Sequence, residues 1–213
     1  MNFAEIVKRN WPTLVVAILP FILLALFWNR LPGQVPLHWN VNGEIDNYGP
    51  KATLVIFPFI TFSVVVLLWA VPFIDPKKKG EYFQPTLNTL GLVLAAFMLF
   101  IFILILVSSL GYKKDISSFV IIGVLLLLMI IGNYFGKLRP NYFVGIRTPW
   151  TLEKEEVWIK THRFAGVLWV FGSLCMIVLT LFMPREAFAY VFIPFIILIS
   201  TAPLIYSYII YKK

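Results

Sequence analysis

Six apolar blocks, each close to the length of a bilayer crossing, limit what this chain can fold into more than any other feature. They cover 11–28, 52–74, 87–112, 116–135, 164–183 and 187–211. A spanning helix needs about 20 mostly apolar residues. A backbone surrounded by lipid must bond within its own segment, which selects helices. The chain has 213 residues, of which 60% are hydrophobic and 13% charged, against about 25% charged in a soluble domain. No soluble fold of this size buries that much apolar surface. The expected class is all-α: a polytopic membrane protein with six transmembrane helices, forming one membrane domain over 1–213.

The net charge of +8 does not point to nucleic acid, because the cations sit in short clusters between apolar blocks rather than on one basic face. Their distribution gives an orientation. With the N-terminus in the cytoplasm, Lys8 and Arg9, Lys77 to Lys79, the six basic residues from Lys137 to Arg163, and Lys212 and Lys213 all lie inside. Five cations (Arg30, Lys51, Lys113, Lys114 and Arg185) lie outside. This bias predicts a plasma-membrane protein with both termini cytoplasmic. The basic residues before the first block resemble a signal peptide, but no small-residue cleavage site follows, so the block reads as a retained helix. The single cysteine, Cys175, has no partner for a disulfide and reads as a small buried residue.

None of the six blocks contains Lys, Arg, Asp, Glu or His. Ion-coupled transporters place such groups at membrane depth, and a hydrolase needs a nucleophile and a base. Asn88, Ser108, Asn133 and Ser173 read instead as interhelical hydrogen-bonding groups. Pro20, Pro58, Pro72, Pro194 and Pro203 predict local adjustments within helices rather than breaks. Gly132 and Gly136 form a small-xxx-small pair that lets two helices approach closely.

Two connectors are more than plain loops. The outer loop, 29–51, contains LPGQVPLHWNVNGEIDNYGPK, whose prolines, glycines and Asn/Asp residues specify turns. Leu37, Trp39 and Val41 alternate with His38 and Asn40, as in a short extended piece. Trp39 and Tyr48 suit the headgroup level. His38, Glu44 and Asp46 supply one nitrogen and two loosely spaced acids, which falls short of a metal site.

The cytoplasmic loop, 136–163, contains NYFVGIRTPWTLEKEEVWIKTHRF. Gly145 allows a turn, Thr148 is a candidate helix cap, and Pro149 suits the first helical position. Glu153, Glu155 and Glu156 then fall in early turns, where acids complement the helix dipole. Trp150, Val157 and Thr161 share a stripe with Trp158 beside it. These features predict a short amphipathic helix on the inner membrane surface before the fifth span. His162 stands six and seven residues from Glu156 and Glu155, not the three or four that brings side chains together. No nucleophile–base pair and no glycine-rich phosphate cradle is visible. The expectation is a protein that is not an enzyme, with no catalytic residue, cofactor or metal.

The run GIRTPWTLEKEEVWIKTHRFAG, preceded by GNYFGKLRPNYF, resembles the signature of the SdpI-type immunity family of bacterial membrane proteins. The outer loop resembles that family's first loop, Leu-Pro…Pro-x-His-Trp-Asn…Gly…Asp…Gly. The motif positions inside are Asn141, Tyr142, Gly145, Arg147, Thr148, Pro149, Trp150, Thr151, Leu152, Glu156, Trp158, His162 and Arg163. Outside they are Pro36, His38, Trp39, Asn40, Gly43, Asp46 and Gly49. The resemblance implies protection against a secreted, membrane-active peptide toxin met in or outside the membrane. It also implies, in the family's fuller arrangement, signalling by capture of a cytoplasmic ArsR-like autorepressor. The contrasting reading is a transporter or exporter of a small amphiphile or peptide without ion coupling.

Overall fold

The computed structural model describes residues 3–40, 42–76, 80–112 and 116–213. Val41, Lys77 to Lys79, Lys113 and Lys114, which entered the strand pattern and the charge count above, lie outside the described residues. The elements run α1 (Phe3–Arg9), α2 (Trp11–Phe27), β1 (Gln34–Trp39), β2 (Ile45–Pro50), a 3-10 turn (Lys51–Val55), α3 (Ile56–Ile74), α4 (Gly80–Ser109), α5 (Ile116–Phe135), α6 (Pro149–Glu153), α7 (Glu155–Leu179) and α8 (Arg185–Lys212).

Five stretches are long and apolar enough to cross a membrane: Lys51–Ile74, Pro85–Ser109, Ile116–Phe135, Glu155–Leu179 and Ala187–Lys212. The chain is a multi-pass membrane protein. The first block forms α2, which is apolar but only 17 residues long. At 1.5 Å per residue it reaches about 25 Å, less than the roughly 30 Å hydrocarbon core. The helices continue through Pro20, Pro72, Pro194 and Pro203. Large apolar side chains such as Leu67, Phe171, Leu181, Phe182 and Ile193 are exposed on helix surfaces, where a bilayer is the solvent that accepts them.

The sequence-based expectations need four corrections. The fold is mostly helical as expected, but the outer loop adds a two-stranded sheet in which β1 and β2 pair antiparallel. The expected amphipathic helix is not a separate element. Lys154 is extended (φ −110°, ψ 120°), leaving the five-residue α6 before it and a continuous helix, α7, after it. The fifth block therefore begins near Glu155 and carries His162 inside the helix. Cys175 is exposed rather than buried, on a surface of α7 that an apolar solvent can accept. Ser108 and Ser173 are buried, but their hydroxyls have no hydrogen-bond partner.

The chain divides into two compact units. The first comprises 1–69 and 88–123, and the second comprises 70–87 and 124–213. In the first, one cluster joins Leu24, Leu31, Val35, Leu54, Phe102 and Leu106, while another joins Ile6, Ala17, Val65, Trp69 and Ala95. Phe57 stacks on Phe102 with centroids 5.4 Å apart, and Phe21 meets Phe59 edge-on at 5.0 Å. Asn10, between α1 and α2, donates its side-chain amide to the Ile6 carbonyl at 2.8 Å, bridging the break between the two helices.

The second unit is built on the antiparallel pair α7 and α8. Trp169 Nε1 donates to the Ile199 carbonyl at 3.0 Å, and Phe164 stacks on Tyr206 at 4.5 Å. α5 crosses α7 backbone to backbone. A Cβ added at Gly132 would stand 2.7 Å from Trp169 Cβ, and one at Gly166 would stand 2.8 Å from the Gly132 carbonyl oxygen. The close approach expected of Gly132 is thus made within the chain, against Gly166. Gly136 has nothing nearer than Arg163 Cγ at 4.0 Å.

Candidate functional site

In the first unit, the 29–51 motif folds into the β1–β2 hairpin. Gln34 pairs with Pro50, Val35 with Gly49, Pro36 with Tyr48, His38 with Asn47 and Trp39 with Ile45, with irregularities on either side of His38. Asn40 organises the turn, its Oδ1 accepting from the amides of Asn42 and Glu44 at 2.9 and 3.0 Å. Its side-chain amide donates to Glu44 Oε2 at 3.0 Å. His38 Nδ1 lies 2.6 Å from Asp46 Oδ1, and both side chains are open to solvent. At the base of the hairpin, Lys51 Nζ donates to the Trp28 carbonyl at 3.1 Å and lies 4.7 Å above the Trp28 ring. Pro36 and Gly49 are buried, Trp39, Asn40 and Gly43 are half-buried, and His38 and Asp46 are exposed. Among the described residues, no group of three or more His, Cys, Asp and Glu is placed to hold a metal ion.

In the second unit, the 137–163 motif is a loop pinned to α7. Asn141 is 2% exposed and fills its bonding capacity with the surrounding backbone. It donates to the carbonyls of Arg139 and Val144, both at 2.9 Å, and accepts from the amides of Phe143 and Val144 at 2.8 and 2.7 Å. A buried amide side chain used this way substitutes for secondary structure. Arg147 Nη1 donates to the Tyr142 carbonyl at 2.7 Å, closing the other side of the loop. Asp75, before the undescribed 77–79 segment, accepts from the Tyr142 amide at 3.4 Å.

His162 fixes the loop from α7. Its Nε2 accepts from the Ile146 amide at 2.9 Å, and its Nδ1 lies 2.8 Å from the Trp158 carbonyl. An N–H donor facing Nε2 and a carbonyl facing Nδ1 together require the neutral ring with its proton on Nδ1. The ring stacks on Trp158 at 4.1 Å and meets the edge of Phe135 at 5.8 Å. Trp158 Nε1 donates to the Leu138 carbonyl at 2.8 Å, so both buried polar aromatics of α7 are spent on the loop. Gly145 makes this approach possible. Its φ is +113°, and a Cβ there would lie 2.5 Å from His162 Nε2 and 3.3 Å from Trp158.

α6 is clasped by α8. Thr148 caps α6 as its sequence position predicts, with Pro149 next. The reciprocal partner is Thr151, which bonds the Thr148 amide at 2.9 Å and the Ile146 carbonyl at 2.8 Å. Thr148 Oγ1 also lies 3.2 Å from Ser207 Oγ on α8. Trp150 packs on Tyr208 at 4.9 Å. The Tyr211 hydroxyl reaches both carboxylate oxygens of Glu153, at 2.9 and 2.8 Å. Lys154 lies 4.4 Å over the Tyr211 ring, and Lys212 lies 4.7 Å over the Tyr208 ring. Trp150 turns toward α8 while Trp158 turns into the loop. The two tryptophans stand on either side of the break at Lys154.

The thirteen motif positions therefore divide. Asn141, Thr148, Thr151, Trp158 and His162 are buried, and Gly145, Trp150 and Leu152 are half-buried. Tyr142, Arg147, Pro149, Glu156 and Arg163 are exposed, with Glu156 paired to Lys160 at 2.5 Å. Sequence reading missed Leu138, Asp75, Ser207, Tyr208 and Tyr211. The only visible signal for these was the tyrosine-rich end of the last apolar block.

Comparison with known proteins agrees with the family resemblance. The model of the SdpI/YfhL protein family matches residues 137–207, which take in the pinned loop, α6, α7 and most of α8. A domain of unknown function, DUF1648, matches 15–62, including the hairpin. Over 206 residues the chain is 29% identical to "Immunity protein SdpI" of Bacillus subtilis (strain 168), covering 97% of each protein. No solved structure matches.

Proposed function

We propose, from the match of the SdpI/YfhL family model to residues 137–207, that the chain is an immunity protein of the cell membrane. It protects the cell that carries it against a secreted, membrane-active peptide toxin. The observation that carries this reading is the 97% coverage shared with a relative named as an immunity protein. A match of that extent spans the regions in which both motifs lie.

The protein acts by binding rather than by chemistry. Its segment 137–163 has one histidine, and both ring nitrogens of that histidine are occupied in holding the loop. With α2 counted as a sixth crossing, short as it is, both termini lie in the cytoplasm, in keeping with the distribution of Lys and Arg. The hairpin then faces outward, where His38, Asp46 and the span surfaces are open to a toxin. On the inner side, the exposed Tyr142, Arg147, Pro149, Glu156 and Arg163 form the face that meets a cytoplasmic partner, such as a repressor that signalling recruits. Asn141, Gly145, Thr148, Thr151, Trp158 and His162 hold that face in shape.

The test is a toxin challenge of cells with and without the gene, combined with a membrane-recruitment assay for a co-encoded repressor. Deletion should sensitise the cells. Joint replacement of Tyr142, Arg147 and Arg163 by alanine should abolish recruitment while protection survives. Equal survival of the deleted and intact strains would refute the immunity reading. Unchanged recruitment by the triple variant would refute the partner face.

A further inference from the structure

The clasp between α6 and α8 contains two cations without a carboxylate partner, set in one aromatic cluster at the end of a membrane helix. Trp150, Tyr208 and Tyr211 are in ring contact, at 4.9 Å and 6.5 Å from Trp150. Lys154 Nζ lies over one tyrosine and Lys212 Nζ over the other. Of the nearby acids, Glu153 is bonded through both oxygens to the Tyr211 hydroxyl, and Glu156, which Lys154 also influences electrostatically, is paired with Lys160; neither lysine of the cluster forms an ion pair among the described residues. α8 is apolar enough to span up to Lys212, so the cluster lies where hydrocarbon gives way to headgroups. Aromatic rings with a polar edge favour that depth.

We propose that this cluster binds the headgroup of an anionic phospholipid, its phosphate lying between Lys154 and Lys212 and its acyl chains running along α8. Three features select this ligand. Two ammonium groups against the single Glu153 carboxylate leave the cluster net positive, which favours a monoanionic phosphodiester, whereas a zwitterionic headgroup brings its own ammonium. The ring faces keep the lysines close to the surface without neutralising them. The apolar surface of α8 continues from the cluster with Leu204 and Ile205 exposed, which suits acyl chains and not a free ion. The inference does not depend on the immunity reading, since lipid preference and toxin protection are measured separately.

The experiment uses the full chain purified in neutral detergent, with phosphatidylglycerol, phosphatidylcholine or millimolar inorganic phosphate added. Melting temperature and lipid retention in native mass spectrometry are the readouts. Phosphatidylglycerol should be retained roughly tenfold better than phosphatidylcholine, as two lysines at an anionic surface allow, and should raise the melting temperature. The preference should vanish in K154Q/K212Q and persist in R185Q at the far ends of α7 and α8 and in R163Q on α7. Equal stabilisation by both lipids or by inorganic phosphate would overturn the proposal. So would a preference that survives in K154Q/K212Q, or one that falls equally in R163Q, which would indicate diffuse charge attraction. Should K154Q/K212Q not fold, two measurements decide: K154R/K212R must retain the preference, and high salt must remove it from the unmodified protein. Failure of either overturns the site.

Discussion

The chain has two histidines, each inside a motif, and they occupy opposite situations. His38 sits on an open hairpin with one partner, Asp46, and both side chains meet solvent. His162 is fully buried, bonded at both nitrogens, stacked on Trp158 and set against the edge of Phe135. The first can be lost without leaving a buried group unpaired, so it is free to serve an outside ligand. The second holds an irregular loop onto α7 and cannot be spared. A residue's presence in a motif does not distinguish these roles; what occupies its polar atoms does.

The largest expected effect comes from the position that allows the contact. Gly145→Val combines a disfavoured positive φ with a side chain driven into His162 and Trp158. It should lose about 3 kcal/mol or more, read as a collapse of the melting temperature or of yield. His162→Ala should cost about 2–4 kcal/mol, because it leaves the Ile146 amide unpaired in a partly buried loop and opens a cavity beside Trp158. Asn141→Ala removes four bonds and should cost about 2–3 kcal/mol, with the loss visible in denaturant titration. Trp158→Phe keeps the stack but drops the bond to Leu138, and about 1 kcal/mol is expected. Last, His38→Ala should change stability by no more than about 0.5 kcal/mol. A His38→Ala loss as large as that of His162→Ala would break the contrast between the two sites.

What the sequence made legible was local or periodic. Thr148 and Pro149 mark a helix start by their own chemistry, and both sit where that chemistry predicts. Glu155 and Glu156 occupy the first turn of α7 for the dipole reason. The apolar blocks correspond to helices because length and hydropathy act within each block. The extended character of 37–41 was legible and overlaps the strand Gln34–Trp39, but its partner was not. The IDNYGP strand is rich in turn residues, and only pairing across the hairpin makes it a strand. The break at Lys154 was hidden for a related reason. Trp150 before it packs on α8 and Trp158 after it bonds to the loop at Leu138, partners that no local window on the sequence links. Gly132 was noted as a point of close approach, but its counterpart Gly166 lies on another helix and carries no signal linking the two.

The loop from Leu138 to Thr148 contains no regular secondary structure apart from the cap that begins α6, yet its amides are not those of a free loop. Phe143 and Val144 donate to Asn141, Ile146 donates to His162, and Thr148 donates to Thr151. Hydrogen exchange should therefore register this coil-like stretch as slow, and its deuterium uptake should follow the opening of α7 rather than the fraying of a surface connector. In a spectrum of exchange rates the loop would group with the helix it leans on, and one substitution at His162 would release several of its amides together.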